Sequence, residues 1–167
     1  MKNDFELQMA EEQAGFRPGR GTIEQIFSLT LIIEKSFALQ EKELYLIFTD
    51  FKKAFDRVWL QGLWKVLHHY GIHPKLINLI ENLYQKTQSA IKFGNNMTNW
   101  FQQTVGVRQG CILSPDLFNI YLEHNLREAL DGLESHGACV NGRTINNLGF
   151  ANDIGLLTQV QRHAQVL

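Results

Sequence analysis

Five consecutive apolar residues, Leu44-Tyr45-Leu46-Ile47-Phe48, end abruptly at Thr49-Asp50. A short run that is apolar at every position predicts a strand covered on both faces, in the middle of a sheet. The acid that follows then lies at the carboxyl edge of that sheet, where open α/β sheets place their ligands. Any fold open to this chain has to bury that strand and leave Asp50 at its end.

A second acid occupies a comparable position. Thr144 to Ala151 and Ile154 to Thr158 flank Asn152-Asp153. Two short apolar strands around a two-residue polar tip make a hairpin, with Asp153 on the turn. If the two strands are neighbours, Asp50 and Asp153 can share a divalent ion. Magnesium takes one or two carboxylates together with substrate phosphates. Two such ions about 3.5–4 Å apart can hold both oxygens of an in-line phosphoryl displacement. The plainer alternative, that both acids only cap turns, stays open on the residues alone.

The intervening sequence is mostly helical in period. Thr22 and Gln25 have capping-box spacing ahead of a helix over 23–42, with Ile26, Leu29, Ile33 and Phe37 as its apolar line. Leu60, Leu63, Trp64 and Leu67 mark a second helix, N-capped by Asp56 and closed at Gly71. Pro74 opens a third, with Leu76, Leu79, Ile80 and Leu83 inward. Ser89 to Phe93 and Trp100 to Val105 read as a hairpin around Gly94-Asn95-Asn96. Ser114-Pro115 starts a last long helix that turns Phe118, Tyr121, Leu122, Ala129 and Leu130 inward. The sum is an α+β fold, an antiparallel sheet with helices on one face.

Composition narrows the function. The chain of 167 residues has 16 basic and 17 acidic side chains, which argues against a simple polybasic nucleic-acid binder. The charge is uneven, however: residues 50–108 hold 8 basic and 3 acidic groups, a footprint for an anionic partner or a solvated helix face. Cys111 and Cys139 form no C-x-x-C pair and read as reduced thiols of an intracellular protein, nuclear or cytoplasmic. Met1 to Gln13 is polar and acidic, unlike a secretory signal, and no apolar stretch approaches the roughly 20 residues that span a bilayer. His68, His69 and His73 have no local carboxylate or Cys to complete a metal set, and read as helix surface.

Four segments carry a family resemblance. The string from Phe48 to Val58, F-T-D-F-K-K-A-F-D-R-V, resembles motif A of reverse transcriptases from non-LTR, LINE-type retrotransposons. Gly106 to Pro115, G-V-R-Q-G-C-I-L-S-P, continuing into Leu117-Phe118-Asn119, resembles their motif B. Leu148 to Leu157 resembles motif C, usually written F-A-D-D and here F-A-N-D. The G-F-R-P-G-R string within Gln13 to Arg20 is similar to the stretch that joins fingers to palm.

The resemblance implies a reverse-transcriptase palm over about 44–167, a fingers remnant over about 1–43 and no thumb. It implies RNA-directed DNA polymerisation with two Mg2+ ions, an RNA template, a DNA primer and a deoxynucleoside triphosphate, within a retroelement polyprotein and away from membranes. Asp50 and Asp153 would hold the metals, and Asn152 stands at the degenerate catalytic position. Phe51, Phe55 and Gln109 would bind the nucleotide, Phe55 as the aromatic gate under its sugar. Arg17, Arg20, Arg108 and Gly110 would contact template and primer, and Gly106 would let backbone approach them closely. With Asn152 in place of an acid, and fingers and thumb lying outside these residues, the expected activity is little or none. A non-catalytic nucleic-acid or protein-binding domain that reuses the palm, or the product of a decayed element, are the other readings.

Overall fold

The apolar run does form a strand, β1 (Tyr45–Asp50), but at the side of its sheet. In this computed structural model the described residues are 5–38, 43–133 and 136–164. They fall into two compact units, one within residues 9–52 and 122–164, the other within residues 5–8 and 53–121.

The first unit is built on a three-stranded antiparallel sheet in the order β1, β9 (Asp153–Thr158), β8 (Asn147–Phe150). The strand at its centre is β9, whose Ile154, Leu156, Leu157 and Thr158 are buried. The edge place of β1 corrects the expectation of a strand covered on both faces. Its last three residues are exposed, and Phe48 keeps 69% of its surface accessible, its ring lying over Gly155. An all-apolar run does not by itself tell a central strand from an edge strand that borders a groove.

Helix α1 (Thr22–Ala38) covers this sheet through Leu29 and Ile32, which pack with Leu46, Ala138, Leu148 and Leu157. The buried positions of α1 are Ile32 and Ser36, whereas Ile26 and Phe37 are 65% and 76% exposed. The expected apolar line is therefore rotated. The last expected positions of that helix, residues 39–42, lie outside the described residues. A further hairpin, β6 (Ala138–Val140) with β7 (Arg143–Ile145), takes Thr144 away from the motif C hairpin to which the sequence assigned it.

In the second unit, α2 (Leu60–His69) buries Leu60, Leu63, Trp64 and Leu67 as expected and ends ahead of Gly71 at φ +71°. Trp59, without a side-chain cap bond, is its N-cap, so Asp56 does not cap it. Helix α3 (Pro74–Gln85) starts at the expected proline. It buries Ile77, Ile80 and Tyr84, while Leu79 and Leu83 are exposed, a rotation of one position from the expected face. Tyr84 meets Trp64 edge to face at 5.6 Å and its hydroxyl lies 3.3 Å from Ser114 Oγ.

The predicted hairpin forms in two short pieces: β2 (Gln88–Ser89) with β5 (Phe101–Gln102), and β3 (Lys92–Phe93) with β4 (Asn96–Met97). The chain then enters α4 (Ser114–Ala129), which buries Phe118 and Leu122 as expected but leaves Ala129 exposed.

The candidate metal-binding edge and the flanking motifs

Antiparallel pairing of β1 with β9 runs from Tyr45 opposite Thr158 to Asp50 opposite Asp153. Directly opposed residues of such a pair share a face, with Cβ atoms about 4.5–5.5 Å apart. The last rung of the ladder therefore sets two exposed carboxylates side by side. The juxtaposition that the sequence left conditional is what the register provides.

Turn geometry refines the rest. Phe150 pairs with Asp153, so the tip is Ala151-Asn152, and Asp153 is the first residue of β9. That moves the expected tip back by one residue. Ala151 has φ +55°, a left-handed conformation uncommon for a residue with a Cβ. Asn152 follows it, and its Nδ2 donates a 2.8 Å hydrogen bond to Asp50 Oδ1. The Phe51 N–H reaches back to the Asn152 carbonyl at 3.5 Å. Phe51 itself is exposed.

The donor set is oxygen-rich and hard, which suits magnesium. Asp50, Asp153 and the Asn152 amide oxygen are the oxygen donors that this edge offers. Among the described residues no group of three or more His, Cys, Asp or Glu is placed to hold a metal. Three carboxylates are thus not assembled here, and a second ion finds no further acid. Beside the pair, α1, β1, β8 and β9 border an open groove of about 400 Å³, lined by Ile26, Leu29, Leu46, Phe48 and Phe150. It accounts for the exposure of Phe48.

The two arginines of the glycine-rich turn face the protein. Arg17 is buried and its Nη1 donates to the Ala10 and Gln13 carbonyls at 2.5 and 2.8 Å. Arg20 pairs with Glu11 at 2.8 Å, and this hydrogen bond, with the guanidinium charge, holds the Glu11 carboxyl below its ordinary range. The capping box is absent too. Gln25 Nε2 donates to the carbonyls of Glu12 and Gly149 at 2.8 and 3.1 Å, so it ties α1 to strand β8.

The remaining expected residues lie in the second unit. Phe55 begins a short 3₁₀ turn (Phe55–Arg57) and stacks on Phe118, ring centroids 4.5 Å apart at 15°. Gly106, at φ +89°, comes so close to this turn that a Cβ on it would lie 2.8 Å from the Asp56 carbonyl oxygen. Backbone bonds from Gly106 to Val58 and from Val107 to Phe55 fix motif B to motif A. The close approach that Gly106 permits is therefore to the protein's own backbone. Gln109 is exposed, its amide 3.1 Å from Asp56 Oδ1, so Asp56 holds motif B rather than a helix end. Arg108 lies over Tyr84 and bonds the Leu83 carbonyl and the Thr87 hydroxyl at the end of α3. Gly110, at φ +80°, is exposed with open space around it.

Gln13 is the residue that the sequence missed. Only 4% exposed, it bonds both the N–H and the carbonyl of Ala151, 138 positions away, and no local spacing signals that contact.

Comparison with known proteins shows what the chain is similar to. The family described as "Reverse transcriptase (RNA-dependent DNA polymerase)" matches residues 1–166. The chain is 29% identical over 153 residues to the Pol polyprotein of the type-1 retrotransposable element R2 of Nasonia vitripennis, covering 92% of this chain and 14% of that relative. It is 29% identical over 152 residues to the RNA-directed DNA polymerase from mobile element jockey of Drosophila funebris, covering 88% of this chain and 15% of the relative. Among solved structures, apo telomerase from Candida tropicalis superposes with a TM-score of 0.73 at 14% identity, over 99% of this chain and 35% of that one, a likeness of fold.

Proposed function

Because the chain belongs to the reverse transcriptase (RNA-dependent DNA polymerase) family, we propose that the Asp50–Asp153 rung is the metal-binding edge of an RNA-directed DNA polymerase, weakened by Asn152. The observation that carries this reading is the register that opposes the two acids, with the Asn152 amide bonded to Asp50. In the reaction, the 3′-hydroxyl of a DNA primer attacks the α-phosphate of a deoxynucleoside triphosphate. An O3′–P bond forms as the hydroxyl gives up its proton to solvent, the bond from the α-phosphorus to the oxygen of the β-phosphate breaks, and pyrophosphate leaves. A bound magnesium ion supplies charge stabilisation to the transferring phosphoryl group.

This chain's own residues do the positioning. Asp50 and Asp153 offer oxygens from one rigid rung. Phe55, held flat against Phe118, is the motif A aromatic to which we assign the gating of the sugar. Gln109 and Gly110 are exposed, which leaves motif B accessible, and we assign them to the nascent pair and the template.

Asn152 keeps a carbonyl oxygen but lacks a charge. Mutation of a mere outer-shell partner costs roughly 10–100-fold in metal affinity or activity, and a missing direct carboxylate costs more. The chain spans about a seventh of the R2 relative's length. The test is primer extension on an RNA template by a longer polypeptide that supplies fingers and thumb, with Asn or Asp at 152. The Asp form is expected to extend at least about tenfold faster. Equal rates would show that Asn152 does not impair the site.

A non-catalytic palm that holds nucleic acid is favoured by the same hydrogen bond, which gives Asp50 a partner without metal. Binding of an RNA–DNA duplex that falls steeply with salt, with no extension by either form, would support it.

A further inference from the structure

The short stretch Glu12–Gly15 lies along strand β8 immediately behind the motif C turn. Ala14 N–H donates to the Gly149 carbonyl at 2.8 Å and Gly149 N–H to the Glu12 carbonyl at 2.9 Å. Gln13 and Gly149 thus form a parallel bridge. From it the Gln13 side chain reaches the turn. Its Oε1 accepts from Ala151 N–H at 2.9 Å and from Gly15 N–H at 2.8 Å. Its Nε2 donates to the Ala151 carbonyl at 3.3 Å. One amide therefore grips both backbone groups of the residue at φ +55°.

Gly15 lets the stretch sit so close. A Cβ there would fall 2.1 Å from the Ala151 nitrogen. The Gln13 backbone is itself fixed, since Arg17 bonds its carbonyl. A left-handed residue with a side chain persists only where its surroundings over-determine it. Ala151 is buried, and without the amide its N–H would lose the acceptor that holds it.

We propose that Gln13 is a positioning residue for the metal-binding edge. By holding Ala151 left-handed it sets where Asn152 and Asp153 stand relative to Asp50. Rotation at Ala151 re-aims both residues that follow it, so the grip on one alanine governs the geometry of the rung. Its metal consequence rests on the polymerase reading above; the grip itself does not.

The experiment has two arms. In the first, hydrogen exchange of the Ala151 amide is followed by NMR in the native chain, in Gln13→Ala and in Gln13→Glu, at about pH 4, where the new carboxyl is held protonated. A protonated Glu keeps both an acceptor oxygen and a donor at equal length, so it tests the grip even if the Ala variant does not fold. Protection is expected to fall at least about tenfold in Gln13→Ala and to be largely kept in Gln13→Glu, the size expected from losing one buried hydrogen bond. Unchanged exchange in Gln13→Ala, or equal loss in both variants, overturns the grip.

In the second arm, Mn2+ affinity is measured in the Asn152→Asp background. Gln13→Ala is expected to weaken it about tenfold, the scale of outer-shell partners. Adding Ala151→Gly is expected to recover part of the loss, because glycine adopts positive φ without a clamp. A loss that glycine does not rescue would make Gln13 a packing residue only. If Asn152→Asp binds no Mn2+ at all, the polymerase reading fails, and the first arm still decides the grip.

Discussion

Asn152, in the turn that joins β8 to β9, donates its side-chain amide to Asp50 at the end of β1, at 2.8 Å. A carboxylate at 152 could not make that bond without a proton. It would instead add a third negative charge beside Asp50 and Asp153. The present sequence thus orders the rung without a cation, whereas an acid at this position needs one.

Stability follows from that contrast. Asn152→Asp is expected to lower the metal-free stability by about 0.5–1.5 kcal/mol, from a lost solvent-exposed hydrogen bond and added like-charge repulsion. Millimolar Mn2+ is expected to raise the melting temperature of the variant and to change the native chain much less. Thermal melts in EDTA and in Mn2+ check both statements.

Gly106→Ala is expected to destabilise the chain by about 1–3 kcal/mol or more, the range for strained backbone. The position is at φ +89°, and the new Cβ would meet the Asp56 carbonyl oxygen at 2.8 Å. Urea unfolding measures it, and Gly110→Ala is the comparison, since that glycine has a positive φ but open space.

Phe118→Ala removes a buried ring and the partner of Phe55. Truncating a buried Phe typically costs about 3–5 kcal/mol. In a polypeptide that extends primers, freeing Phe55 is also expected to relax the choice of deoxy- over ribonucleotides. Denaturant unfolding and competition between the two nucleotide types give the two readouts.

Arg20 holds the Glu11 carboxyl below its ordinary value of 4.5. A carboxyl depressed in the folded state contributes stability that is present above its unfolded value and lost as pH falls through the folded one. Arg20→Gln is expected to return the Glu11 titration toward 4.5 and to remove this contribution to acid sensitivity. NMR titration of the Glu11 carboxyl decides it.

The parts of the fold that rest on local chemistry were legible in the sequence. Gly71 ends α2, Pro74 opens α3, and Asp50 closes a strand, because each depends on a residue and its near neighbours. The buried faces of α1 and α3 were less so, since Ile26 and Leu79 fit the helical period as well as Ile32 and Ile77 do. Period gives the spacing of a stripe, and tertiary contacts choose which stripe. The edge place of β1 escaped for the same reason. Asp50 was found by its place after an apolar run and Asp153 by its place on a hairpin turn, but their opposition is a property of register, which the sequence does not write out. Gln13 was beyond reach, because its partner is 138 residues away and only the folded chain brings them together.

We propose a cation-binding rung of Asp50 and Asp153 that Asn152 weakens. Mn2+ affinity of the native chain, Asn152→Asp and Asp50→Asn by isothermal titration tests it most directly. The Asp form is expected to bind at least about tenfold more tightly than the native chain, and Asp50→Asn to bind less tightly than either. Equal affinities in all three would contradict it.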